Sequence, residues 1–137
     1  MKVLIDTNVI LDVLMRREPH LGFSAQCLKL CGTKLTGCIT SSQTTDIFYL
    51  LGRFGKDAQS SKDIIKKLTD NVKVLAVNNV DVQNALSAEM SDYEDGLLAW
   101  CAKRNKAEYI ITRNEADFGL SPVPVMSPQK FLEKLKN

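Results

Sequence analysis

The chain has 137 residues, 45% of them hydrophobic and 25% charged, enough for one complete globular core spanning residues 1–137 and too few for a second. Its formal charge of +2 permits a polyanionic partner without requiring one. No apolar run is long enough to cross a bilayer, and the N-terminus lacks the charged, apolar and small-residue regions of a signal peptide, so a cytoplasmic protein with no membrane attachment is expected.

The chain opens on KVLID, a continuous apolar run ending in a carboxylate, which reads as a strand over 2–6 buried on both faces. Val9, Ile10, Val13 and Leu14 come next at helical spacing, giving a helix over 8–15. A second helix is predicted near 22–32, a short strand at 35–39, and a helix over 42–54 capped by Ser41 or Ser42. GRFGKD breaks that helix, and a lysine-rich amphipathic helix then runs to about Leu68. VKVLAV, residues 72–77, reads as strand, and 79–90 as helix. Ser91 with Glu94 three residues on forms a capping-box pattern at the start of a largely apolar helix. AEYIITRN gives another buried strand and a polar turn, and the chain closes with a short edge strand and a helix opened by Ser127 and Pro128. Strands alternating with helices in this way specify an α/β fold: a three-layer α/β/α sandwich with a central parallel sheet.

Four cysteines form no CxxC pair, and His20 is the single histidine, so a Cys/His zinc site is a poor fit and free, mostly buried thiols are expected. Carboxylates carry more information. Asp6 ends the first strand, Asp46 lies in an early turn of the helix after the second, Asp92 and Asp95 open the helix after residue 90, and Asp117 comes after the strand ending in YIIT. Each has an ordinary explanation: Asp6 as a helix cap with Thr7 and Asn8, Asp46 as partner of Arg53, Asp92 and Glu94 as first-turn acids, Asp117 as a turn residue. For Glu94 that explanation suffices. All the others stand at strand ends or helix starts, the edge where open parallel sheets bind ligands. Carboxylates gathered there repel one another unless a cation neutralises them, and an all-oxygen set favours Mg2+ or Mn2+ over zinc.

The segments LIDTNVILD, ITSSQTTDIFYLL, DYEDGLLAWCA and YIITRNEADF, in that order and spacing, resemble the motifs of the PIN-domain nucleases, including the VapC toxins of toxin–antitoxin pairs. The resemblance covers nearly the whole chain and implies a metal-dependent endoribonuclease acting on single-stranded or loop RNA. It assigns Asp6 as the first acid and Asp95 as the third, with Asp92 auxiliary. Asp46 takes the second place, where the family more often has glutamate, and its arm is shorter by roughly 1.5 Å. Many members have aspartate directly after TR. This chain has Asn114 there, and Asp117, three residues on, is assigned as the fourth acid with the uncharged Asn114 beside it. Thr7, Asn8 and Thr112 would orient these groups, while Arg113 and Arg53 would hold phosphate or form salt bridges.

The expected chemistry is hydrolysis by water that one or two Mg2+ or Mn2+ ions acidify and align, without a protein nucleophile. The first rival is a haloacid-dehalogenase-like phosphatase, which needs an aspartate where Asn8 stands. A second is a catalytically weakened PIN-like interaction module, which Asp46 and Asn114 favour. The resemblance further implies a homodimer and a small antitoxin protein, and the helix over 42–54 is apolar around most of its circumference, more than one sheet can cover.

Overall fold

A computed structural model describes residues 1–137. Its elements in chain order are β1 (Lys2–Ile5), α1 (Thr7–Leu14), α2 (Leu21–Leu30), β2 (Thr36–Thr40), α3 (Ser41–Arg53), α4 (Ala58–Thr69), β3 (Lys73–Leu75), α5 (Asn79–Ser87), α6 (Tyr93–Arg104), β4 (Tyr109–Ile111), a 3-10 turn (Glu115–Phe118), β5 (Val125–Met126) and α7 (Pro128–Leu135). The sheet is ordered β3-β2-β1-β4-β5, and all of its pairings are parallel. The α/β/α sandwich expected from strand–helix alternation is the fold observed.

Alternation along β1 divides the interior in two. Val3 and Ile5 point to one face, where they pack with Val9, Ile10, Ile39, Ile47, Leu51, Ile111 and Phe131. Leu4 points to the other and meets Cys38, Leu98, Ala99, Ile110 and Phe118. Leu4 is paired in register with both Cys38 and Ile110, so that row faces α6. Small residues at Ala99 and Ala102, both fully buried, let α6 lie close on the sheet. Cys27, Cys31, Cys38 and Cys101 are free and distributed through both cores.

The helix expected over 79–90 ends at Ser87 and the other elements shift by a residue or two, and three of the boundaries that differ have a local reason. The strand expected over 72–77 stops at Leu75 because the next backbone groups are taken by side chains: Arg104 donates to the Ala76 carbonyl at 2.6 Å, and the Val77 amide donates to Ser41 Oγ at 3.2 Å. Helix α3 is capped by Thr40 rather than Ser41 or Ser42, in a reciprocal box with Gln43. Helix α6 is capped by Asp92, whose carboxylate accepts from the Asp95 amide at 2.9 Å, so the Ser91–Glu94 box is replaced by a start one residue later. On α3, Ile47 and Leu51 are buried, but Phe48, Tyr49 and the capping Phe54 remain 37%, 65% and 60% exposed, so packing within the domain leaves these three aromatic side chains in solvent.

A candidate acidic centre at the carboxyl edge of the sheet

The chain passes from β1 outward through β2 and β3, then returns to place β4 on the other side of β1. The end of β1 is therefore the topological switch point, where diverging connections open a crevice. Asp6 occupies it. Its own amide donates to the Ile111 carbonyl at 2.9 Å, which locks the residue to the end of β4. Its carboxylate accepts from the Thr7 amide at 2.7 Å, Thr112 Oγ1 at 2.8 Å and Asn8 Nδ2 at 3.3 Å. Asp6 is thus both the cap of α1 and a buried carboxylate at the rim. Burial raises its pKa, and the bonds from Thr112 and Thr7 with the charge of Arg113 work against that rise.

The other acids converge on it. Asp95, in the first turn of α6, has its pKa pushed up to about 7 by burial and by the charges of Asp92, Asp6, Asp117 and Glu94. Glu94 is raised by burial and then by Asp46, Asp92 and Asp6. These interactions tie Asp6, Asp46, Asp92, Glu94, Asp95 and Asp117 into one electrostatic group drawn from α1, α3, α6 and the 3-10 turn. Asp46 makes no salt bridge with Arg53. Asn114 is the exposed cap of the 3-10 turn, its amide donating to Thr112 Oγ1 at 3.0 Å. As arranged, no three acidic side chains sit close enough together to clasp an ion among them. The oxygen-only donor set and the mutual repulsion around Asp95 nonetheless fit a hard divalent cation. Asp92, Glu94, Asn114 and Asp117 are exposed, so the centre is an open edge.

Two residues behave differently from their sequence expectation. Glu94 is more than a dipole-compensating acid, since beyond its burial the charges of Asp46, Asp92 and Asp6 raise its pKa and link it to the centre. Arg113 is engaged below the surface: its Nε donates to Asp12 Oδ2 at 2.7 Å and a terminal nitrogen to Oδ1 at 3.1 Å. That guanidinium is a structural partner, and a phosphate-holding role for it has no support in this geometry. Asp12 is absent from the sequence candidates, although a lone acid on the apolar face of a short helix is the signal that points to it. It is fully buried and also accepts from Arg17 and Ser24.

Residues 2–116 match the model of the PIN domain. The chain belongs to the PIN-domain family. Among individual proteins it is 24% identical over 139 aligned positions to ribonuclease VapC1 of Aquifex aeolicus, with 97% of this chain and 94% of that one covered. The same PIN fold is found in the complex VapBC2 of Rickettsia felis bound to a promoter DNA fragment, at a TM-score of 0.73 and 15% identity, covering 93% of this chain and 98% of that one. VapBC-1 of nontypeable Haemophilus influenzae superposes at a TM-score of 0.70 with 19% identity, covering 94% and 99%. At such identities the superpositions speak to the PIN fold. A recess of about 610 Å3 lies away from the acids between α1, α2 and α4, lined by Val13, Leu14, Leu28, Ile64 and Leu68. No helix is long and apolar enough to cross a membrane.

Proposed function

We propose that this PIN-domain protein is an Mg2+- or Mn2+-dependent endoribonuclease and the toxin of a toxin–antitoxin pair. The observation that carries the reading is the electrostatic linkage of six carboxylates around the switch point, with the pKa of Asp95 pushed up to about 7 by burial and by the charges of its neighbours. Asp6, Asp46, Asp95 and Asp117 would hold the ion, with Asp92, Glu94 and Asn114 around it. A bound divalent ion supplies the positive charge that acidifies water and stabilises the leaving oxygen of a phosphodiester. The chain's own contribution is orientation: Thr112 and Asn8 hold one oxygen of Asp6, and the Thr7 amide holds the other. An open edge of exposed acids suits a polymer, which need not be enclosed. The relative named as a ribonuclease supports RNA as that polymer.

Neighbours of the same fold in VapBC complexes support a protein partner, for which the apolar recess between α1, α2 and α4 offers a seat. Exposed Phe48, Tyr49 and Phe54 on α3 favour self-association as a homodimer. The test is cleavage of a mixed RNA pool with Mn2+, with EDTA, and with Asp6→Asn. Activity confined to the parent with metal is expected; equal cleavage by Asp6→Asn would overturn the assignment. Expression of the chain alone, with growth and native mass monitored, tests the toxin and dimer readings separately.

A further inference from the structure

We infer that Asp12 is a positioning residue, which acts through Arg113 to fix the turn that presents Asn114 and Asp117 to the acidic centre. The inference rests on the reading of that centre as a metal site. A carboxylate with no solvent exposure is costly unless it is fully paired. Asp12 meets that demand with groups from three separate places: Arg17 beyond α1, Ser24 on α2, and Arg113, 101 residues along the chain. The Arg113 contact uses two parallel N–H donors, a geometry that fixes direction as well as distance.

The segment after Arg113 has few other restraints. The last strand pairing of β4 is Ile111 with Met126, and the Thr112 amide extends it by one bond to the Met126 carbonyl, 3.0 Å. Beyond that point the turn is held at its far end by Phe118, 2% exposed, and across solvent by the Lys130–Glu115 pair at 3.3 Å. The Asp12–Arg113 pair is an interior tether at the near end, beside the bond from the Arg113 amide to Asn8 Oδ1 at 3.4 Å. Within this span the Asn114 amide bonds Thr112 Oγ1, and the Asn114 carbonyl accepts from the Asp117 amide at 3.0 Å. The turn therefore takes its position from Thr112 and Arg113 together, and the side chain of Arg113 is the part of that anchor which Asp12 holds. A second branch reaches the first acid: Arg17 donates to the Asn8 carbonyl at 3.0 Å, and Asn8 Nδ2 donates to Asp6. Both arginines held by Asp12 thus bracket the residues that orient Asp6 and Asp117.

The test compares Asp12→Asn, Arg113→Met and Ser24→Ala with the parent. Amide hydrogen exchange at residues 113–117 is measured without metal, and Mn2+ affinity by titration without RNA. The first two variants should exchange faster at the turn and bind Mn2+ about ten- to a hundredfold more weakly, the usual effect of removing an outer partner of a metal site. Arg113→Met leaves Asp12 paired with Arg17 and Ser24, so it serves if Asp12→Asn does not fold. Ser24→Ala removes a bond to the same carboxylate without touching the turn; it should lower stability and leave both readouts near parental. The double variant Asp12→Asn with Arg113→Met should be no worse than the weaker single. If the parent binds Mn2+ and cuts RNA while Asp12→Asn and Arg113→Met match it in exchange and affinity, the positioning role is overturned and the nuclease reading stands. A parent that binds no Mn2+ overturns the functional reading and this inference with it.

Discussion

Gln43, at the start of α3, donates its side-chain amide to the Ile5 carbonyl at 2.8 Å and to Thr7 Oγ1 at 3.2 Å, while its own oxygen accepts from the Thr40 amide at 2.7 Å. A side chain 1% exposed thereby joins the ends of β1 and β2 directly beneath Asp6. Replacement by leucine keeps the bulk and orphans all three partners. Two of these partners, the Ile5 carbonyl and the Thr40 amide, are buried, and since one buried orphan costs about 1–3 kcal/mol, Gln43→Leu should lose at least about 2 kcal/mol. A urea midpoint within error of the parent would show that the junction is held by other contacts.

Metal-free stability should fall with rising pH through the acidic range. Asp95 titrates near 7 in the folded protein and near 4 in an unfolded chain. Between those values the native state binds more protons, so stability declines as pH rises. Asp6 and Glu94, both raised, act in the same direction. Asp57 is lowered, chiefly by the Ser60 backbone amide. Asp81 is also lowered: burial opposes the shift, but Arg104 and Asn78 outweigh it. Stability from those two is lost only as pH drops below about 4, outside the window. Melting in EDTA at about pH 5 and pH 8 should show the higher temperature at pH 5, with a smaller difference in Asp95→Asn.

Glu94→Gln should reduce RNA cleavage about tenfold or more, because the charges of Asp46, Asp92 and Asp6 act on the glutamate and make it part of the acidic group. The same substitution relieves repulsion and should raise the melting temperature in EDTA. Unchanged cleavage would return Glu94 to the role of a dipole-compensating acid.

Gly37 sits in β2 against Cys31, and a Cβ there would strike the Cys31 sulfur and approach its Cβ to 2.7 Å. No rotamer of Cys31 relieves the second contact. Gly37→Ala should therefore cost about 1–3 kcal/mol by overpacking, partly recovered when Cys31→Gly is combined with it. Denaturant titration of the two chains decides this.

Periodicity and apolar runs suffice to give the element order and the parallel sandwich, because both arise from local pattern. Spacing places the start of α3 one residue late and that of α6 one early, since Thr40 and Asp92 compete with neighbouring serines for the same capping task and spacing alone does not rank them. The acids at strand ends can be named from topology. Glu94 cannot, because its role depends on the rotation of α6 against α3, which only packing sets. Arg113 is illegible for a related reason: its partner Asp12 lies 101 residues away, and nothing local to TRN reveals that its charge turns inward.

The interior thiols leave the molecule chemically quiet toward electrophiles. Burial pushes Cys27 up to about 12, with Cys31 and Cys101 up to about 11 and Cys38 also raised. Thiolate, the reactive form, is therefore scarce at neutral pH. A cysteine introduced at an exposed position such as Gln129 or Lys62 would be modified far faster than any native one. Spin or fluorescent probes can thus be placed around the acidic edge in the natural background, and inter-probe distances would report how the α6 and 3-10 turn acids move when a divalent ion is added.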